Sequence, residues 1–170
     1  MVGVELGGTL KNIIALGAGM IDGLGYGDNA KAAFITRGLT EMSAFGMALG
    51  ANPLTLSGLA GLGDLIATCA SKLSRNHFVG SELARGEKLA DITGGMDGVA
   101  EGITTTAAVW DQARKLNLEM PITQRIYQVL YCDATVEDAI AEILGACYKH
   151  ELAGKRWKLF SFQGKRGRSL

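Results

Sequence analysis

Nine consecutive small or apolar residues at positions 13–21 follow directly on Lys11 and Asn12, and no other stretch constrains the fold as strongly. A bilayer span needs roughly twenty such residues, so this run is too short to cross a membrane. It is read as the middle of a buried helix over residues 4–24, around which other helices must pack. On that helix the positions three and four removed from Lys11 are Gly7, Gly8, Ile14 and Ala15, so the lysine stands on a face of mostly small groups. An ammonium among apolar side chains costs free energy unless it is paired, reaches water or lines a cleft. Two readings follow. The amine snorkels to the surface, or it serves as a reactive group at the bottom of a cleft.

The 24 glycines fall in clusters with no three-residue repeat, which excludes collagen and favours close-packed helices or ligand loops. With 170 residues, 48% hydrophobic and 20% charged, the chain can bury a substantial core. Its 17 basic and 17 acidic residues cancel, which argues against a domain-wide attraction to nucleic acid or anionic membrane. Cys69, Cys132 and Cys147 lie far apart, and His77 and His150 fall in unrelated segments, so neither a metal site nor a disulfide framework is expected. The N-terminus does not read as a signal peptide, and a cytoplasmic setting is the expectation.

Further helices follow in order. The turn at residues 22–29 ends in Asp28 and Asn29, either of which suits an N-cap. A second helix over residues 30–49 carries Phe34, Ile35, Leu39, Met42, Phe45 and Leu49 at helical spacing, with Lys31, Arg37 and Glu41 expected outward. Asn52-Pro53 starts a short helix that stops near Gly58. Glycines 58, 61 and 63 imitate a phosphate loop, but no strand precedes them, so that signal is weak. Asp64 is expected at the N-cap or first turn of a helix running to about Ser71, a plain capping role being the alternative to a functional one. Ser74, Arg75 and Asn76 bring a hydroxyl, a guanidinium fork and an amide to a helix start, a set that suits either a phosphate oxyanion or an ordinary solvated cap. A glycine loop at residues 94–98 leads to a helix over 104–116. Two amphipathic helices complete the series, one after Pro121 marked by Ile122, Ile126, Val129 and Leu130, the other marked by Val136, Ala139, Ile140, Ile143 and Leu144. From Lys155 onward six basic residues occur in sixteen positions, which reads as a loosely ordered tail, with nucleic-acid contact as the alternative.

The segments 4–12, 22–31, 61–65 and 74–76, together with 119–123 and 127–131, resemble in this order the C-terminal substrate domain of bacterial-type NAD(P)-dependent glycerol-3-phosphate dehydrogenase. The resemblance covers about residues 4–145. It implies an all-α, multi-helix domain of the 6-phosphogluconate dehydrogenase C-terminal-like type over residues 1–150, followed by the tail at 151–170. It further implies reduction of dihydroxyacetone phosphate to sn-glycerol 3-phosphate with NAD or NADP as cofactor, feeding glycerophospholipid synthesis. Lys11 matches the family's proton donor or acceptor at the substrate C2 oxygen. Asp64, Ser74, Arg75 and Asn76 match substrate contacts, Arg75, Val99 and Glu101 match cofactor contacts, and Asn12 and Thr68 are weaker matches.

Two departures accompany it. The family's nucleotide-binding Rossmann half has no counterpart in this sequence, so the chain alone is expected to be inactive, and the basic tail has none in the family. The competing reading is a stand-alone helical module that binds a phosphorylated small molecule, or assembles with a partner, without turnover. Self-association, with a homodimer as the simplest case, and no membrane span complete the expectations.

Overall fold

The structure, a computed structural model, describes residues 2–152, and it is helical throughout, with no strand among the described residues. Among the described residues nine α-helices follow one another: α1 (Val2–Gly23), α2 (Asp28–Ala48), α3 (Pro53–Ser57), α4 (Asp64–Ala70), α5 (Arg75–Ala84), α6 (Leu89–Gly94), α7 (Glu101–Lys115), α8 (Pro121–Tyr131) and α9 (Val136–Leu152). The expected all-α architecture is what forms.

Helix α1 is the axis of the domain. Every residue from 13 to 21 is buried, and α2, α4, α5, α7 and α8 pack around it. A helix apolar on all sides is stable only when neighbours cover it completely, and the glycines make that covering close. A Cβ at Gly19 would lie 2.0 Å from the carbonyl oxygen of His77, and one at Gly80 would lie 1.9 Å from that of Leu16. Helices α1 and α5 therefore touch backbone to backbone. On the opposite side the Phe34 ring of α2 occupies the space a side chain at Gly17 would need, and Ile14 fills the equivalent space at Gly38. The glycine excess is thus in part a packing device.

Several local expectations are met for local reasons. The Asn52 side chain accepts a hydrogen bond from the Leu54 amide at 2.9 Å and starts α3, with Pro53 in the first helical turn. Ile122, Ile126 and Leu130 of α8 and Val136, Ala139, Ile140 and Ile143 of α9 are buried, as their spacing predicts.

Others are corrected. Neither Asp28 nor Asn29 caps α2: Gly27, at φ 37°, ends the turn one residue earlier and leaves Asp28 as the first helical residue. Leu49 sits past the end of α2 and is exposed. Glu41, expected outward, is only 6% exposed, because the start of α8 supplies donors for its carboxylate. Residues 59–63 form a π-helical turn that runs straight into α4, and of the two places expected for Asp64 it takes the first turn. Helix α6 was not anticipated; in its six residues only Ile92 is buried, too little for a periodic signal. Residues 53–70 are apolar and long enough by composition to cross a membrane, but the extended conformation of Gly58 interrupts them. The basic segment from Lys155, with the side chains of Cys147 and His150, lies outside the described residues.

Candidate functional site

Lys11 and Asn12 project from α1 into an open cleft of about 400 Å³. Thr68 of α4, Ser74 with Arg75 and Asn76 at the start of α5, and Val99 with Glu101 at the start of α7 line the same cleft. Four chain segments therefore converge on one place, and they bring with them every residue that the sequence singled out for chemistry except Asp64, which reaches the cleft through Lys11.

Lys11 Nζ donates to Asp64 Oδ2 at 2.5 Å, the lysine side chain being 22% and the aspartate side chain 41% exposed. The lysine is thus neither loose on the surface nor unpaired in the core. Thr68 Oγ1 donates to the Asp64 carbonyl at 2.7 Å and lies 3.4 Å from Asp64 Oδ1, which places its hydroxyl beside the carboxylate on α4. The charge-assisted bond to Asp64 restricts where Lys11 Nζ can point.

Across the cleft, Ser74 caps α5 by accepting from the His77 amide at 3.3 Å. The first-turn amides of a helix have no acceptor within it, and they stand at the positive end of its dipole. Arg75 adds a guanidinium whose Nη1 lies 2.3 Å from where a Cβ of Gly98 would be, and Gly98 has φ +103°. Only glycine accommodates both the conformation and the contact. Asn76 is 7% exposed, and its Oδ1 accepts from the Gly102 amide at 2.9 Å, tying α5 to α7. That bond leaves the carboxamide nitrogen as the part of Asn76 available to a ligand. A hydroxyl, a guanidinium and helix-start amides on one wall suit a phosphate group, while a paired ammonium on the other suits an oxygen that gains or loses a proton.

The sequence reading missed Ala67, Ser71 and Leu73, which also line the cleft. Leu73 is 93% exposed, and a single apolar residue in a turn carries no spacing signal.

Residues 1–141 match the family model described as the NAD-dependent glycerol-3-phosphate dehydrogenase C-terminus. The chain belongs to this family. A glycerol-3-phosphate dehydrogenase (NAD(P)+) of Dehalococcoides mccartyi is 63% identical over 166 residues, which cover 98% of this chain and 46% of that protein. One from Streptococcus suis is 58% identical over 151 residues, covering 89% and 45%. The crystal structure of glycerol-3-phosphate dehydrogenase from Coxiella burnetii superposes with a TM-score of 0.83 at 42% identity, over 85% of this chain and 44% of that one. The structure of DsGPDH of Dunaliella salina gives a TM-score of 0.74 at 30% identity, over 86% and 27%. The chain spans about half the length of the curated dehydrogenases it matches. Because the Dehalococcoides alignment takes in 98% of the chain, most of the basic tail has a counterpart there, which corrects the expectation that it had none in the glycerol-3-phosphate dehydrogenases.

Proposed function

We propose that this chain forms the substrate-binding and catalytic half of an NAD(P)-dependent glycerol-3-phosphate dehydrogenase that interconverts dihydroxyacetone phosphate and sn-glycerol 3-phosphate. One observation carries the reading: a single cleft faces Lys11 on one wall and the Ser74, Arg75 and Asn76 turn on the other. At about 400 Å³ the cleft suits a phosphorylated three-carbon substrate together with one end of a dinucleotide, but not a whole dinucleotide. The remaining half of the protein would then hold most of the cofactor.

In this reading Arg75, the Ser74 hydroxyl and the first-turn amides of α5 hold the phosphate, which fixes the three-carbon unit in one orientation. The C2 oxygen then lies toward Lys11. NAD(P)H, when bound, supplies a hydride to C2. Lys11 gives its proton to the oxygen as the C2 carbonyl is reduced, and takes it back in the reverse direction. Asp64 accepts from the lysine, aims Nζ at the oxygen, and balances the ammonium charge before the proton moves. Val99, 66% exposed, and Glu101 line the same cleft as Arg75, and these three residues would meet the nicotinamide end of the cofactor. In the same reading the chain works in a cytoplasmic setting, associates into a homo-oligomer through exposed apolar residues such as Leu54 and Leu59, and divides into a domain over 1–150 and a tail over 151–170.

Calorimetric titration of the chain tests the substrate assignment. The expected result is binding of sn-glycerol 3-phosphate, none of glycerol, and a weakening of roughly ten- to a hundredfold in Arg75→Ala, the cost of a lost charge-assisted fork. Equal losses for phosphorylated and unphosphorylated ligands would contradict a phosphate clamp. NADH and NADPH should bind weakly to this half and give no turnover, and micromolar binding of either would mean that the cofactor site is misplaced.

A further inference from the structure

Behind the wall of the cleft, α1, α2 and α5 meet at a polar cluster that the proposed reaction does not use. Asp22 Oδ2, in the last turn of α1, accepts from Lys31 Nζ of α2 at 2.8 Å and lies 2.8 Å from His77 Nε2 of α5. The His77 side chain is 8% exposed and that of Lys31 is 19%. Polar groups so enclosed are retained at a cost unless each is satisfied. Burial acts to raise the pKa of Asp22, but the hydrogen bonds from Lys31 and His77, together with their electrostatic attraction, outweigh it and hold the carboxyl below its ordinary range. None of the three residues lines the cleft.

His77 is fixed at three points. Its amide donates to Ser74 Oγ, its carbonyl rests where a side chain at Gly19 would stand, and its ring meets Asp22. Successive residues of a helix turn by about 100°, so Arg75 projects about 200° from His77. A contact that clamps the back of the first turn therefore decides where its front points. We propose that Asp22, Lys31 and His77 form a positioning network that sets the orientation of the first turn of α5, and with it the reach of Arg75 and Asn76 into the cleft. The ligand named below rests on the proposed function; the positioning itself does not.

The test uses the full chain with Asp22→Ala, Asp22→Asn, His77→Ala and His77→Gln. Three quantities are measured well below the unfolding temperature: the Arg75 Nε–H resonance without ligand, the affinity for sn-glycerol 3-phosphate, and thermal stability. Asp22→Ala lies on another helix, so a shifted Arg75 resonance reports transmission and not simple proximity. The expected result is that Asp22→Ala and His77→Ala shift this resonance and weaken binding about tenfold or more, since small misplacements of binding groups are costly. Asp22→Asn keeps an acceptor, and His77→Gln keeps a donor. Both should recover part of the affinity. Variants that melt earlier yet keep the parent resonance and affinity would overturn the proposal and leave the cluster a purely structural one. If the parent itself binds no phosphate ester while Asp22→Ala still moves Arg75, the substrate assignment fails and the positioning network stands. Should His77→Ala fail to fold, Asp22→Asn and His77→Gln decide the matter.

Discussion

Lys11 Nζ and Asp64 Oδ2 meet at 2.5 Å across 53 residues of sequence, joining the central helix α1 to the first turn of α4. This pair turns a lysine in an apolar helix into an aimed one. Joined to the N-terminal half of a related dehydrogenase, the chain with Lys11→Ala should lose about 10²- to 10⁴-fold in turnover, with a milder effect on cofactor affinity. Lys11→Arg should fail as well, because a guanidinium holds its proton too firmly. Steady-state rates check both, and near-normal turnover in the alanine variant would remove Lys11 from the mechanism.

Gly98 gives Arg75 the space it occupies. In Gly98→Ala the new Cβ would collide with the guanidinium, and the residue would also be held at φ +103°, which costs about 1 kcal/mol or more. The guanidinium, at the end of a flexible side chain, must then shift, and the expected outcome is a loss of affinity for sn-glycerol 3-phosphate smaller than that of Arg75→Ala, read by calorimetry. An unchanged affinity would show that Arg75 reaches its ligand from another position.

Glu41 is the buried acceptor at the start of α8. Its oxygens accept from the Ile122 and Thr123 amides at 2.8 Å and from the Thr123 hydroxyl at 2.6 Å. Glu41→Ala strands these donors and should destabilise the domain by about 1–3 kcal/mol or more, with Glu41→Gln costing less, as measured by urea unfolding. The pH dependence follows from the same site. Burial raises the Glu41 pKa, against the opposing hydrogen bonds from Thr123 and Ile122. A carboxyl raised in the fold stabilises fully below its ordinary value near 4.5, and that contribution declines as pH rises through the raised value. The advantage of the parent over Glu41→Gln should therefore shrink between pH 4.5 and neutrality, and a growing advantage would contradict the assignment.

The thiols should separate cleanly. Burial pushes Cys69 up to about 12, with Lys31 acting against the rise and Asp22 adding to it, whereas Cys132 is exposed. At pH 8 an alkylating reagent should label Cys132 in the native protein and Cys69 only after unfolding, because the thiolate is the nucleophile. Mass spectrometry of the peptides bearing each residue provides the measurement.

Elements whose signals are local were legible in the chain before any packing was known. Residues 13–21 had to be a buried helix because nothing in them can face water. Asn52-Pro53 had to start α3, and the spacing from Ile122 to Leu130 marked the inner face of α8, since caps and periodicity act within a few residues of each other. The order of the motifs also carried the family resemblance, and with it the candidate residues in segments that share no local signal. Tertiary structure decided the rest. That Glu41 is buried depends on donors 81 residues away, at Ile122. His77 and Asp22 are separated by 55 residues, and no spacing rule connects them. Periodicity states which face of a helix is apolar, but a hydrogen bond or an ion pair forms only where two particular atoms come within about 3 Å. For Asp22 and His77 that closeness is set by how tightly α1 and α5 approach at Gly19 and Gly80, a quantity that exists only once both helices are in place.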